Sequence, residues 1–178
     1  MKKILLLLLL SCITVNAQKK WTTHKAIISF EASVPLFEPI EAENRSTICI
    51  IDTNRSTINF VVKMKDFQFE RKLMQQHFNE NYLETKKYPK ATFKGTILNF
   101  DWVDFTTIQS TFYVEGIITI HGQSKKIKAA IVLKKNGKQL VLTTNFSLNT
   151  DDFGIAIPFL VRDKIDRNVK VHLEAILD

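Results

Sequence analysis

The chain has 178 residues, 45% hydrophobic and 24% charged, with 25 basic against 18 acidic residues and a formal net charge of +7. That apolar content excludes an intrinsically disordered chain, and two cysteines are too few for a disulfide framework. The bases fall in short groups such as Lys125-Lys126 and Lys134-Lys135, with no basic helix and no aromatic-basic strip, so no nucleic-acid partner is expected.

The first 17 residues read MKKILLLLLLSCITVNA. Two lysines precede an apolar run from Ile4 to Leu10, and Val15-Asn16-Ala17 places small residues at cleavage spacing. This is the pattern of a secretory signal peptide, too short for a span of ~20 residues, with cleavage expected after Ala17 and a periplasmic or secreted destination. Leu9-Leu10-Ser11-Cys12 also resembles a lipobox, which would lipidate Cys12; this is the less favoured reading. Residues 18–178 fit one domain with room for a core and no transmembrane segment. Without Lys2 and Lys3 the balance is 23 basic against 18 acidic residues. The one remaining cysteine, Cys49 in Ile48-Cys49-Ile50-Ile51, reads as a small buried hydrophobe.

Apolar-polar alternation then predicts eight strands. The first covers 21–33 and the second 46–52. The third points Ile58, Phe60, Val62 and Met64 one way and Thr57, Asn59, Lys63 and Lys65 the other. A fourth covers 91–100. Phe112, Val114, Gly116, Ile118 and Ile120 mark the next, followed by Ile127, Ala129, Ile131 and Leu133. Leu140, Leu142, Thr144, Phe146 and Leu148 mark the seventh, and Val169, Val171, Leu173, Ala175 and Leu177 the last. Turns are expected at 52–55, at His121-Gly122 and at Asn136-Gly137, the last as a type I′ hairpin. Only residues 70–84 or so read as helix, with Leu73, Met74, His77 and Phe78 on one face. Eight antiparallel strands with one apolar face each predict a mainly β fold. An eight-stranded barrel buries those faces without leaving an edge, and a two-sheet sandwich is the structural alternative. The pattern alone leaves open whether the interior is filled or a hollow suited to an apolar chain.

The reactive-looking residues lack partners in sequence. His24, His77, His121 and His172 lie far apart, and no HxH, HxxxH or HExxH occurs, so no metal is expected. Ser124 follows His121-Gly122-Gln123 without a nucleophile elbow. Asp151-Asp152 suits a turn, and Glu80 and Glu84 are four residues apart with no second feature for acid-base work. Neither a cofactor nor catalysis is expected. Lys63, Lys65, Arg71 and Lys72 read as a solvated face, with an anionic head group as the alternative.

Several segments in order carry a resemblance. Lys65-Asp66-Phe67-Gln68-Phe69 is followed by Leu73-Met74 with His77-Phe78, then by Lys87-Tyr88-Pro89-Lys90-Ala91-Thr92-Phe93. Asp152-Phe153-Gly154-Ile155 and Pro158 come near the end. Behind a signal peptide, this arrangement resembles the YceI-like family of secreted bacterial lipid-binding proteins, over the chain from Trp21 onward. The resemblance implies a lipocalin-like barrel with a deep apolar tunnel for a polyisoprenoid or similar amphiphile, frequent homodimers and no catalytic activity. It places Phe67, Phe69, Met74, Phe78, Tyr82 and Phe93 around the barrel mouth and helix. Alternation adds Ile28, Phe30, Phe60, Val62, Met64, Phe112 and Val114 as lining residues, and His77 and Arg71 are candidate head-group contacts. The expected function is therefore sequestration or carriage of a long apolar lipid. Two other readings stand beside it, an enzyme acting on such a lipid with His77 as base, and a solid barrel serving as an adaptor or stress protein.

Overall fold

In a computed structural model of the chain, the described residues are 20–101, 105 and 109–178. The expected signal peptide, with Cys12 and Ala17, lies outside them.

The alternating segments form β1 (Lys20–Ser33), β2 (Glu41–Asp52), β3 (Thr57–Lys63), β5 (Lys90–Leu98), β6 (Ser110–Ile120), β7 (Gln123–Asn136), β8 (Gln139–Asn149) and β9 (Ile165–Leu177). A two-residue strand, β4 (Gln68–Phe69), extends β3 along β2 after a 3₁₀ turn at Met64–Asp66. All neighbours pair antiparallel, and β1 pairs with both β2 and β9, so eight strands close into a barrel. Reciprocal bonds between Thr22 and Asp178 complete that closure.

Every apolar set named from alternation faces inward on at least part of its strand. Ile58, Phe60, Val62 and Met64 are buried, as are Val114 and Ile118, Ile131 and Leu133, Leu140 and Leu142, and Leu173, Ala175 and Leu177. β1 and β2 each change phase once. On β1 the buried residues are Trp21 and then Ala26 and Ala32; on β2 they are Ala42 and Asn44 and then Thr47, Cys49 and Ile51. The register shifts lie between Thr23 and Ala26 and between Ala26 and Ile28, as expected where an extra residue bulges from a ladder. Asn44 supports the β2 bulge from inside. Its Nδ2 donates to the Lys63 carbonyl at 2.9 Å and its Oδ1 accepts from the Ser46 amide at 2.8 Å. This bulge explains why the sequence pattern places the start of β2 at Ser46, whereas the strand begins at Glu41.

The hairpins follow their turn chemistry. His121 and Gly122 both have positive φ, 51° and 76°, which a two-residue type I′ turn requires. The β7–β8 turn differs from expectation. Asn136 is still paired, with Gln139, so the central residues are Gly137 and Lys138, with φ of 60° at the glycine. A glycine in the first central position is the type II′ arrangement.

The helical segment is shorter than the sequence reading. α1 spans Lys72–His77 and widens into a π turn at Phe78–Tyr82, closed by the Leu83 amide on the Phe78 carbonyl at 2.9 Å. Phe78 is buried, Met74 is half-buried and Leu73 is exposed, so the apolar face seats at its C-terminal end.

Two apolar clusters fill the ends of the barrel. One, around Trp21, Ile51, Leu133, Leu140, Leu142 and Leu177, packs the end away from α1. The other, around Val62, Met64, Phe67, Phe78, Leu83 and Ala91, lies under α1.

One ladder is incomplete. β7 and β8 pair only from Val132 with Thr143 to Asn136 with Gln139, although the strands run on for many residues beyond. Past that point β7 pairs with β6 alone and β8 with β9 alone. The Thr144 hydroxyl, donating to the Ala130 carbonyl at 2.7 Å, bridges the start of the divergence. The following 3₁₀ turn, Thr150–Phe153, is tied to β7 by Lys125 and Asp152 at 2.7 Å and is capped by Gly154 at φ 62°.

Candidate functional site

A cavity of about 490 Å³ lies inside the barrel, opening towards α1. That is within the ~300–1,000 Å³ of small-molecule sites. Its floor is made by Ile58, Phe60, Phe93, Val114, Ile131 and Leu173, strand residues that alternation turns inward. Phe60 and Phe93 have ring centroids 6.3 Å apart. The upper wall is an aromatic cluster in which Phe30 stacks on Phe78 at 5.6 Å and meets Phe67 and Phe69 edge-on at 5.3 and 5.8 Å. The segment Phe67–Phe69 and the π turn thus bring three rings onto one strand residue.

Polar groups are few and mostly satisfied or peripheral. The charged members of the lining are Glu38 and Lys164, which sit with His77 on loops and on α1. Thr144 is engaged with the Ala130 carbonyl. The hydroxyl of Thr150 is buried without a hydrogen-bond partner and lines the cavity, where an acceptor on a guest molecule would meet it. Burial pushes the Tyr82 phenol above its ordinary range, so it stays neutral at physiological pH.

The structure gathers Ile28, Phe30, Phe60, Val62, Met64, Phe67, Phe69, Met74, His77, Phe78, Tyr82, Phe93 and Val114 around this one cavity. Phe112 and Arg71 are not among its lining. Phe112 packs with Phe100 and Phe105 at 5.2 and 5.9 Å. Arg71 forms an ion pair with Glu38, tying α1 to the β1–β2 loop. The sequence reading left out the inward faces of β7, β8 and β9, namely Ile127 and Ala129, Phe146 and Leu148, and Val169 and Val171. Their alternation was the signal that could have added them. It also left out Phe37, Ile40, Ile157 and Val161 at the mouth, which lie in loops and a short 3₁₀ turn without periodicity.

His77 is exposed on α1, and no carboxylate, hydroxyl or thiol among the described residues hydrogen-bonds to it. Asp151 pairs with Arg167 at 2.9 Å and Asp152 with Lys125, so each carboxylate of that dipeptide is matched by a base. Among the described residues there is no group of three His, Cys, Asp or Glu arranged to hold a metal, and no helix long and apolar enough to cross a membrane.

Comparison with known proteins agrees with this architecture. A family model described as the YceI-like domain matches residues 21–177. Among solved structures, the chain is similar to a polyisoprenoid-binding domain from Saccharophagus degradans implicated in plant cell wall breakdown, with a TM-score of 0.77 at 12% identity, covering 89% of this chain and 97% of that one. It is also similar to Burkholderia cenocepacia BcnA, with a TM-score of 0.69 at 16% identity, covering 86% of this chain and 96% of that one. A third similar structure is the YCEI protein of Campylobacter jejuni, with a TM-score of 0.55 at 19% identity, covering 74% of this chain and 80% of that one. At such identities the likeness speaks for the fold. No curated protein matches the chain.

Proposed function

Because this chain belongs to the YceI-like domain family, we propose that it is a binding protein that holds a long apolar molecule, a polyisoprenoid or similar amphiphilic lipid, in the barrel cavity. The observation that carries the reading is the distribution of polarity along the lining. Apolar strand residues make the floor and walls, and the charged groups Glu38 and Lys164 stand at the mouth. A molecule with a hydrocarbon body and one polar end matches that gradient.

The energetics suit such a cargo. Each methylene removed from water contributes ~0.8 kcal/mol, so ten contribute about 8 kcal/mol before the costs of association. Longer chains contribute in proportion, so association costs of ~4–15 kcal/mol are exceeded without a specific polar contact. The deep lining offers no charged pair, nucleophile and base in mutual reach, so the reading is carriage without turnover. The leader pattern of residues 1–17 supports export from the cytoplasm and action in the periplasm or outside the cell.

Native mass spectrometry and organic extraction of the purified protein test the proposal. Recovery of a long-chain lipid at about one per chain is the expected result. A protein that emerges empty, and remains empty when offered prenyl alcohols and fatty acids, sinks it. Fractionation of cells expressing the full chain tests the location.

A further inference from the structure

Of the eight large apolar side chains exposed among the described residues, five stand at one end of the molecule, the others being Tyr113, Ile117 and Ile176 on the outer faces of β6 and β9. Leu36 is fully exposed, Leu160 is 88% and Phe159 72% exposed, and Leu73 and Phe37 follow at 62% and 45%. All five come from the three segments that frame the cavity mouth. Residues 34–39 contribute Phe37 and Glu38 to the lining, α1 contributes Met74 and His77, and 157–164 contributes Ile157, Val161 and Lys164. The segments are tied to one another. Arg71 on the edge of α1 pairs with Glu38, and the Lys164 ammonium lies 5.8 Å from the Phe37 ring.

Cations accompany the exposed rings. Arg162 stacks over Phe159 at 4.1 Å, with its Nε 3.6 Å from the exposed Asp163 carboxylate, and Lys164 lies over Phe37 as above. Lys164 has no carboxylate within 4 Å among the described residues. A ring or leucine reaching outward with a basic side chain beside it is the arrangement that places apolar groups among acyl chains and cations among phosphates. A folded protein partner would favour a continuous patch. Here the apolar groups stand at the tips of separate loops around an opening that leads into a greasy interior.

We infer that this rim docks on the surface of a lipid bilayer, with Leu36, Phe37, Phe159 and Leu160 entering the head-group boundary and Arg162 and Lys164 meeting lipid phosphates. The cavity mouth then faces the membrane, and an apolar chain passes between bilayer and barrel without crossing bulk water. The purpose of the contact rests on the carrier reading above, but its measurement does not.

The test is co-sedimentation of the purified protein, lacking residues 1–17, with vesicles of phosphatidylethanolamine and phosphatidylglycerol. The wild type should sediment with the vesicles, and more of it at low salt than at high. The pair Leu36→Asp and Leu160→Asp should weaken partitioning about tenfold or more per side chain. Because both residues are exposed, its thermal melt should match the wild type. Uptake of a fluorescent fatty acid from free solution should also be unchanged. Vesicle binding by a protein that takes up no apolar ligand supports the docking surface and counts against the carrier reading alone. Absence of vesicle binding by the wild type overturns the inference. So does a double variant that binds vesicles normally but has lost a dimer seen by light scattering, since the rim would then be an interface between two copies.

Discussion

Gly95 and Gly116 stand directly opposite each other across β5 and β6, and the ring of Phe93 lies over both. A Cβ on Gly95 would come within 2.6 Å of the Phe93 Cζ, and one on Gly116 within 2.7 Å of the same atom. The two missing side chains are the space that the ring occupies, and the ring forms part of the cavity floor. Such a pair is one reason for glycine inside a strand.

Gly116→Ala should therefore destabilise the barrel by about 1–3 kcal/mol, the usual range for overpacking. Its added methyl would also stand 2.4 Å from the Lys94 carbonyl, which the ladder cannot move. Urea unfolding monitored by circular dichroism gives the difference.

The sequence made most of this architecture legible, and where it failed the reason is local. Strand identity survived because the apolar period of two ran through six or more residues on β3 and on β6 to β9. The first half of β2 was lost because the bulge at Asn44 inverts the period. Phe112 obeys the same alternation as Val114 yet packs beside Phe100 and Phe105, because alternation gives the face of a residue and not its height in the barrel. The rim was invisible because a loop such as Pro35-Leu36-Phe37-Glu38-Pro39 has no period to read.

Ala129→Phe should fill the cavity from the β7 wall. Ala129 is half-buried and lines it, so a benzyl group there displaces guest volume without requiring the ladder to move. Uptake of a fluorescent fatty acid should fall about tenfold or more, while the melting temperature shifts by only a few degrees. Unchanged uptake would place the guest elsewhere.

Cys49 should be inert in the native state. It is fully buried, and desolvation pushes its thiol far above the ordinary range. Iodoacetamide should label it only as fast as the protein unfolds. The same shift makes stability depend on pH with a fixed sign. Above pH ~8.5 the unfolded chain releases the thiol proton and the native one retains it, so stability should fall by up to ~1.4 kcal/mol per pH unit relative to Cys49→Ala. Chemical unfolding of the two proteins from pH 8 to 10 isolates the effect.

His121 should act as a clasp between three segments. Its Nδ1 meets the Phe153 carbonyl at 3.1 Å and its Nε2 the Glu84 carboxylate at 2.8 Å. Asn is among the residues that tolerate the positive φ of this position, but it is too short for both contacts. His121→Asn should cost about 1–3 kcal/mol, more than Glu84→Ala, whose carboxylate is half exposed. Thermal melts of the two variants check the order.

The short ladder between β7 and β8 has a consequence for how the barrel can change width. Around most of the circumference, widening the wall would sever rows of backbone bonds. Along this seam the strands are already apart, and the turn that fills the gap is held by side-chain contacts, Lys125 with Asp152, Arg167 with Asp151 and His121 with the Phe153 carbonyl, in place of a ladder. The seam is an expansion joint. A bulkier guest would widen the wall first at Thr150–Phe153, at the expense of drawing the buried Phe153 ring from the core. Amide hydrogen exchange should be fastest on the seam-facing edge of β7 and should slow there when the cavity is loaded.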